Sequence, residues 1–335
     1  MLHSTRTGIW AALCALGLAA CGGGGGGGNP ANNTPDEGTM TVSVSDAPVD
    51  SAARVLVQFT GVSVFPSAGG PLELALTGDS QSCQDLLDGS PPAPPAAGEP
   101  VRQCVDLLEL QGTATTTLLN GVTLDAGEYT ALRLEVEAAR GELDSIIVLD
   151  DGAQESLFIP SGNQSGLKLN NPFTILAGGS HNFVIDFDLR KSLNDPQGFA
   201  DYRLNPRLRL IDLAESGNLT GSVEASLLTA PGCTGDVNTG GGFAVYVYPN
   251  TPELEPGEEG SDSAPLASAA VSLDQASGQW RYTVGYLPPG DYLAAFTCQA
   301  ADDSPEAPDD GISLVLSGDN PVTVVADDDS EANFP

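Results

Sequence analysis

The chain has 335 residues, 41% of them hydrophobic, and its 45 acidic and 12 basic residues give a formal net charge of −33. The length predicts two domains of ordinary size with tails, and the hydrophobic content is sufficient for packed cores. Such an acidic surface repels nucleic acid and anionic lipid head groups, which argues against both as direct partners. The same like-charge repulsion favours solubility and suits a cation-rich medium.

Residues 1–20 have the features of a lipoprotein signal peptide. Arg6 supplies a positive start, and residues 9–20 form an apolar run that is too short to span a bilayer comfortably. The run ends in Leu18-Ala19-Ala20-Cys21, which resembles the bacterial lipobox. This resemblance implies cleavage before Cys21 and acylation of Cys21 by chains such as palmitate, which would anchor the protein to a membrane. The alternative is an ordinary secretory signal beside a chance cysteine.

Residues 21–38 are predicted to be the acylated cysteine and a flexible tether. Residues 22–28 are seven consecutive glycines, and no strand precedes them and no helix follows, so they do not form a nucleotide-binding loop. A coil of this length reaches about 20–25 Å. The residue after Cys21 is Gly22 and not Asp, which by resemblance to the Gram-negative sorting rule implies the outer membrane.

Residues 39–213 are predicted to form a β-sandwich, because short alternating segments recur between Gly, Pro and Asn turns without an amphipathic helical period. The clearest pattern is at 183–190, where Phe183, Ile185, Phe187 and Leu189 alternate with more polar residues. A second alternating run covers 203–210. Further strands are expected at 40–44, 54–65 (irregular near Gly61), 72–76, 118–124, 130–137, 146–149 and 157–159, with a strand or short helix at 105–110.

Three separated blocks in this region resemble, in the expected order, the DUF4382 domain of bacterial lipoproteins. They are TVSVSDAPVDSA, NPFTILAGGSHNFVIDFDLRKSL and YRLNPRLRLID, and the resemblance covers about residues 38–213. It implies an envelope lipoprotein with a β-rich domain. It supplies no catalytic residues.

Residues 217–335 are predicted to form a second sandwich, so that the fold class is all-β with two antiparallel β-sandwich domains. The segment from residue 216 onward holds 19 acidic residues and one basic residue, Arg281. Strands are expected at 219–228, 243–248, 269–273, 280–286, 292–298, 312–316 and 322–325, and residues 249–265 are expected to be a mobile loop. The turn LPPGDY at 287–292 resembles prealbumin-like or carboxypeptidase-regulatory-like sandwiches. Residues 124–129 share its spacing, which we interpret as a common hairpin or an internal duplication.

The cysteines predict two disulfide bonds. Cys83 and Cys104 bracket a Pro-rich loop, and export favours their oxidation; closing this loop would stabilise the fold by about 3 kcal/mol. A metal site is the alternative, but no His or CxxC spacing lies nearby. Cys233 is paired with Cys298, while Cys14 leaves with the signal peptide.

Few residues suggest chemistry. His181 is the one histidine of the mature chain and is expected to face solvent in a turn, which argues against His-based zinc sites and a Ser-His-Asp triad. Two groups of charged residues carry alternatives. Asp186 and Asp188 with Arg207 and Arg209 are predicted to be structural ion pairs on a solvated face, the alternative being a catalytic or metal-binding carboxylate pair. Asp302, Asp303, Asp309 and Asp310 are candidate Ca²⁺ ligands, the alternative being solvated loops.

These features predict a non-catalytic lipoprotein of the cell envelope, without a cofactor, at the outer membrane of a Gram-negative bacterium. It would act as a structural or interaction module with a protein or glycan partner. One alternative is a glycan-binding or Ca²⁺-dependent adhesion module, suggested by the acidic loops and four aromatic residues, Tyr246, Tyr248, Trp280 and Tyr286. Another is a hydrolase that uses paired carboxylates.

Overall fold

β-Strands and the turns between them make up most of the described chain. The computed structural model describes residues 36–47, 52–160, 165–190, 192–194, 201–252, 255–304, 307, 310–318 and 320–335. Residues 1–35, where the signal peptide, Cys21 and most of the tether are predicted, lie outside this set. The described residues belong to one compact unit, and none of their helices is long and apolar enough to cross a membrane. The predicted all-β fold is confirmed.

Residues 37–212, here called the N-terminal half, form two facing sheets. The strands are β1 (Glu37–Ala47), β2 (Arg54–Pro66), β3 (Leu72–Leu74), β4 (Gln103–Asp106), β5 (Thr116–Asp125), β6 (Gly127–Glu137), β7 (Ile146–Val148), β8 (Gln154–Phe158), β9 (Leu167–Leu169), β10 (Phe173–Ile175), β11 (Ser180–Asp188), β12 (Leu193–Asn194), β13 (Asp201–Leu204) and β14 (Leu208–Asp212). One sheet has the strand order β14-β11-β1-β5, and the other has the order β10-β6-β2-β7-β8-β13-β12, with β3 and β4 paired to β2 and β9 paired to β6. A short helix, α1 (Cys83–Leu87), and 3₁₀ turns at Leu107–Glu109 and Leu213–Glu215 complete this half.

The alternating residues of β11 fill the core between these two sheets. Phe183, Ile185 and Phe187 are buried there, and the ring of Phe187 lies 6.1 Å from that of Phe59 on β2 in an edge-to-face contact. Strand β11 runs parallel to β1 and antiparallel to β14. The period-two pattern therefore gives the core face of this strand correctly.

Residues 217–335, here called the C-terminal half, form two further sheets. The elements are β15 (Gly217–Val223), α2 (Ala225–Leu228), β16 (Ala244–Pro249), β17 (Ala267–Ala270), β18 (Ser272–Asp274), β19 (Gln279–Leu287), β20 (Gly290–Thr297), β21 (Val315–Leu316), β22 (Val322–Val324) and β23 (Asp329–Glu331). The strand orders are β18-β19-β15-β23 and β17-β16-β20-β21, with β22 paired to β20. Leu219, Val247 and Phe296 lie in the core between the two sheets.

Several predicted segments differ in detail from the observed elements. The expected strand at 219–228 ends at Val223 and continues as helix α2, and the segment at 269–273 is divided between β17 and β18, which belong to different sheets. The run at 203–210 is likewise divided between β13 and β14. Parallel pairs join β1 to β11, β8 to β13 and β15 to β23, so the sheets are mixed and not wholly antiparallel. The irregularity near Gly61 is a register shift in β2.

The two turns of equal spacing are corners between sheets, and the hairpin interpretation is wrong. β5 and β6 lie in different sheets, as do β19 and β20. In the first corner Tyr129 donates its hydroxyl to the Asp125 carbonyl at 2.9 Å, and in the second Tyr292 donates to the Pro288 carbonyl at 2.7 Å. Each tyrosine bonds the backbone four residues upstream, as in the tyrosine corner of immunoglobulin-like sandwiches.

Candidate functional site

The outward face of β11 is covered by the C-terminal half. Val184 of β11 and Ile211 of β14 form a small buried cluster with Tyr286 of β19. The Tyr286 hydroxyl donates a 2.7 Å hydrogen bond to the Thr113 carbonyl, and Nη1 of Arg190 donates one of the same length to the Ala300 carbonyl. This face of the sheet is therefore an internal junction, and the expectation that it is solvated is wrong.

The predicted carboxylate pair lies in this junction. Oδ2 of Asp186 accepts a 2.6 Å bond from Nη2 of Arg209, its direct cross-strand neighbour, and the Asp188 amide donates to the Arg207 carbonyl at 3.0 Å. The cavity that Asp186 and Asp188 line holds about 20 Å³, which is space for about one water molecule. Such a cavity is too small for a substrate, so the arrangement does not favour a carboxylate-based hydrolase.

His181 has a structural environment. Its Nε2 accepts a 2.9 Å hydrogen bond from the Leu176 amide, and its ring stacks on Phe183 with the centroids 6.3 Å apart. The side chain is half-buried and belongs to β11, and its bond to the Leu176 amide closes the Gly-Gly turn that precedes this strand. The expectation that His181 faces solvent in a turn is therefore wrong. A nitrogen engaged in this bond is not positioned as a general base.

The aromatic residues that suggested a glycan platform are mostly interior. Tyr246 and Tyr248 are completely buried, Tyr286 is 7% exposed, and Trp280 packs edge-to-face against Phe243 at 5.6 Å. Burial raises the pKa of Tyr286 to about 12 and also raises the pKa of Tyr246 and Tyr248. A stacking platform needs accessible rings, so these residues do not provide one.

Three carboxylates from two loops converge beside the buried tyrosines, and we call them the acidic cluster: Glu258, Asp303 and Asp310. One oxygen from each lies within 4.8 Å of the other two. Glu258 lies in the loop between β16 and β17, and both aspartates lie in the loop between β20 and β21. Of the other predicted Ca²⁺ ligands, Asp302 accepts a 2.6 Å bond from the Thr234 hydroxyl instead, and Asp309 lies outside the described residues.

Hydrogen bonds hold each member of the acidic cluster in place. Oδ2 of Asp303 accepts from the Tyr246 hydroxyl at 2.6 Å and from the Glu259 amide at 3.2 Å. The Glu258 carboxylate accepts from the amides of Ile312, at 2.8 Å, and Asp310, while Oδ2 of Asp310 accepts from the Ser304 amide at 2.6 Å. Burial raises the pKa of Asp303, although these bonds partly oppose the rise.

Sequence reasoning missed Glu258. Residues 249–265 are rich in Pro, Gly and Ser and predict a mobile loop, yet the loop returns to the sandwich, where the Tyr248 hydroxyl donates to the Gly257 carbonyl at 2.7 Å and Glu259 is fully buried. The adjacent Glu258-Glu259 pair is the signal in the sequence. Its distance of 45 positions from Asp303 hides the contact from any local pattern.

Both predicted disulfide bonds are confirmed. Cys83 is bonded to Cys104 with the Cα atoms 4.9 Å apart, and Cys233 is bonded to Cys298 with the Cα atoms 5.1 Å apart. The first bridge joins the start of α1 to β4, and the second joins the loop after α2 to the end of β20. Cys83 and Cys104 are also packed in a buried cluster with Leu56 and Ile146.

The chain resembles several solved structures only distantly. It aligns with the Bacillus anthracis TIE protein at 10% identity over 89% of this chain and 33% of that one, with a TM-score of 0.17. A putative cell adhesion protein from Bacteroides fragilis gives 10% identity, 88% and 92% coverage and a TM-score of 0.21. A fimbrial protein from Bacteroides ovatus aligns at 8% identity over 90% of this chain and 49% of that one, with a TM-score of 0.19. The chain spans about a third of the first of these proteins, and TM-scores this low carry no argument about function.

A sequence family gives a firmer relationship. No curated protein matches the chain significantly. The model of the family described as "Domain of unknown function (DUF4382)" matches residues 37–206, which is half of the chain and covers β1 to β13. The matched segment contains the first two of the three blocks that carry the resemblance in the sequence, together with the start of the third, which runs on to residue 212. The chain belongs to the DUF4382 family.

Proposed function

We propose that the protein is a non-catalytic interaction module of the cell envelope, tethered to the outer membrane through acyl chains on Cys21. The cysteine pairing carries this proposal. The chain has six cysteines, and the two disulfide bonds use the four that follow the tether. Stable disulfides favour an oxidising compartment outside the cytoplasm. Cys14 and Cys21 remain, and only Cys21 follows the Leu-Ala-Ala sequence that resembles a lipobox.

The buried chemistry of the junction supports a non-catalytic role. The ion pair of Asp186 and Arg209 is enclosed beside a cavity of about one water molecule, and His181 is engaged by the Leu176 amide. The ion pair joins β11 to β14, and the His181 bond closes the turn before β11, so we assign these groups a structural role. The predicted tether, with a reach of about 20–25 Å, would let this body meet a protein or glycan partner near the membrane surface.

Membrane fractionation with intact-mass analysis tests the anchor. The native chain should partition with outer membranes, and its mass should correspond to a chain that begins at an acylated Cys21. Cys21→Ser should move the protein to the soluble fraction. Cys14→Ser is the matched control, because this cysteine is removed with the signal peptide, and it should leave the distribution unchanged. An unmodified N-terminus, or unchanged partitioning of Cys21→Ser, would contradict the proposal.

A partner screen tests the interaction role. Chemical cross-linking in intact cells, followed by mass spectrometry, should join lysine or carboxylate side chains of this protein to another envelope component. The soluble Cys21→Ser chain should lose the cross-links that depend on the membrane location. Turnover of an ester, glycoside or peptide substrate by the purified chain would contradict a non-catalytic role.

A further inference from the structure

We propose that Glu258, Asp303 and Asp310 bind one divalent cation of the Ca²⁺ type. Their three nearest carboxylate oxygens lie within 4.8 Å of one another. Ca²⁺ binds oxygen at about 2.3–2.6 Å, so two ligand oxygens on opposite sides of one ion are separated by up to about 5 Å. The observed spacing therefore allows a single ion to contact all three carboxylates.

The second oxygen of Asp303 points independently to a ligand. Asp303 is only 6% exposed, and its Oδ1 atom is buried without a hydrogen-bond partner among the described residues. Its Oδ2 atom is already engaged by Tyr246 and the Glu259 amide. A buried carboxylate oxygen without a partner is unfavourable, because it has lost its water without replacement. A cation supplies the missing interaction.

The ligands are held before a cation arrives. Backbone amides of one loop fix the Glu258 carboxylate, and the Ser304 amide fixes Asp310. An ionised carboxylate has about four lone-pair positions, so each group retains acceptor sites after these bonds. A site whose ligands are already oriented loses less conformational entropy when it binds an ion.

The local charge also favours a cation. The three carboxylates of the acidic cluster lie beside the buried Glu259, whose amide donates to Asp303. Among the described residues, the charge of Arg190 acts on Asp303, and the carboxylates of the cluster outnumber this single guanidinium. Carboxylates alone, without His or Cys, match Ca²⁺ better than zinc, and loop-borne ligands suit its flexible coordination better than the strict octahedron of Mg²⁺. Backbone carbonyls and water would complete the coordination.

Binding would join the loop after β16 to the loop after β20. Glu258 belongs to the first and Asp303 and Asp310 belong to the second, and one ion would link them at the end of the sandwich that holds Tyr246 and Tyr248. This property extends the proposed interaction role by making one loop surface dependent on Ca²⁺. It does not depend on the lipid anchor, so the two proposals can fail separately.

Titration calorimetry with Ca²⁺ on the purified full chain, in about 0.15 M NaCl to screen diffuse charge, is the first test. One saturable site with a Kd on the order of 10⁻⁴ to 10⁻³ M is expected, as in extracellular Ca²⁺ modules. Tb³⁺ offers an independent readout, because excitation of the neighbouring Tyr246 should sensitise its luminescence. Ca²⁺ should quench that signal by competition. The absence of both saturable heat and sensitised luminescence would overturn the proposal.

Three variants make the test specific. Glu258→Gln and Asp310→Asn should each weaken Ca²⁺ binding at least tenfold, and both side chains are accessible enough for the variants to fold. Asp328→Asn is the matched control, because it removes the same charge from an exposed acidic segment outside the cluster. It should bind Ca²⁺ as the native chain does. Equal losses in all three variants, or full binding by Glu258→Gln and Asp310→Asn, would show diffuse binding and overturn the site.

Discussion

The hydroxyl of Tyr286 donates a 2.7 Å hydrogen bond to the backbone carbonyl of Thr113, 173 positions earlier in the chain. Tyr286 has a φ of 59°, in the left-handed region that non-glycine residues rarely adopt. This backbone conformation, at the end of β19, turns the ring from the sandwich core toward Val184 and Ile211 of the other half. A strained residue thus forms part of the junction between the two halves.

Tyr286→Phe should lower the free energy of unfolding by about 1 kcal/mol, because the ring remains while the Thr113 carbonyl loses its partner. Urea denaturation followed by circular dichroism measures this change. Thr113→Ala is the matched control, since it keeps the carbonyl and alters only an exposed side chain. A loss in the control as large as that in Tyr286→Phe would assign the effect to the loop and not to the hydrogen bond.

Gly285→Ala should destabilise the same junction more strongly. A Cβ atom at this position would lie 2.2 Å from the Gly112 carbonyl oxygen, so the two halves would have to separate or shift. Overpacking of this kind costs about 1–3 kcal/mol. Gly318→Ala is the control, because a Cβ there would meet no atom within 4 Å. Thermal unfolding should show a lower Tm for Gly285→Ala alone; equal Tm values for both variants would contradict the contact.

Local patterns predict much of this fold because the alternation of β2, β11 and β20 is a property of each strand alone. Export favours oxidised cysteines, Cys83 and Cys104 bracket one Pro-rich loop, and Cys233 and Cys298 are then left to pair with each other. What the patterns do not contain is which second surface covers a strand. The polar side of β11, with Asp186 and Asp188, resembles a solvated face in the sequence, and only its contact with the C-terminal half makes it interior.

The sequence predicts two of the three members of the acidic cluster, because local patterns do not show which distant residue joins them. Asp303 and Asp310 lie seven positions apart and were candidates from composition, whereas Glu258 reaches them through tertiary structure. The corner tyrosines show a related limit. Residues 124–129 and 287–292 share a spacing that predicts a common turn, but spacing does not distinguish a hairpin from a connection between sheets.

Tyr129→Phe and Tyr292→Phe should each reduce the free energy of unfolding by about 1 kcal/mol, because each removes the hydroxyl that bonds the corner backbone. The two corners lie in different halves and share no contact partner in these bonds, so the effects should add in the double variant. Denaturant titration of the three variants measures this. Strong non-additivity would indicate that the corners are coupled through the junction.

Removal of the Cys233–Cys298 bridge should cost more stability than removal of the Cys83–Cys104 bridge. The bonds close loops with separations of 65 and 21 positions, and the chain-entropy relation gives about 4 and about 3 kcal/mol. Paired Cys→Ser variants, each compared with the native chain under oxidising conditions, provide the measurement. After addition of reductant, the native chain and both variants should have similar free energies of unfolding, because none of them then has a disulfide bond. A larger loss for the shorter loop would contradict the entropic ranking.

The buried tyrosines should make the protein sensitive to alkali. Burial raises the pKa of Tyr286 to about 12, and it raises the pKa of Tyr246, Tyr248 and Tyr282 as well, whereas tyrosines in the unfolded chain ionise near pH 10. Between these values the folded state holds more protons than the unfolded state. The free energy of unfolding must therefore decrease as the pH rises above about 10.

Denaturant titrations at several pH values, with tyrosinate absorbance recorded in parallel, measure this dependence. The buried hydroxyls should ionise together with unfolding, and stability should be flat with respect to these groups below about pH 9. Tyr286→Phe should be less stable at neutral pH but show a shallower decline above pH 10, because one raised pKa is removed. Ionisation of every tyrosine in the intact fold near pH 10 would mean that the buried rings are exposed to water and that the junction is open.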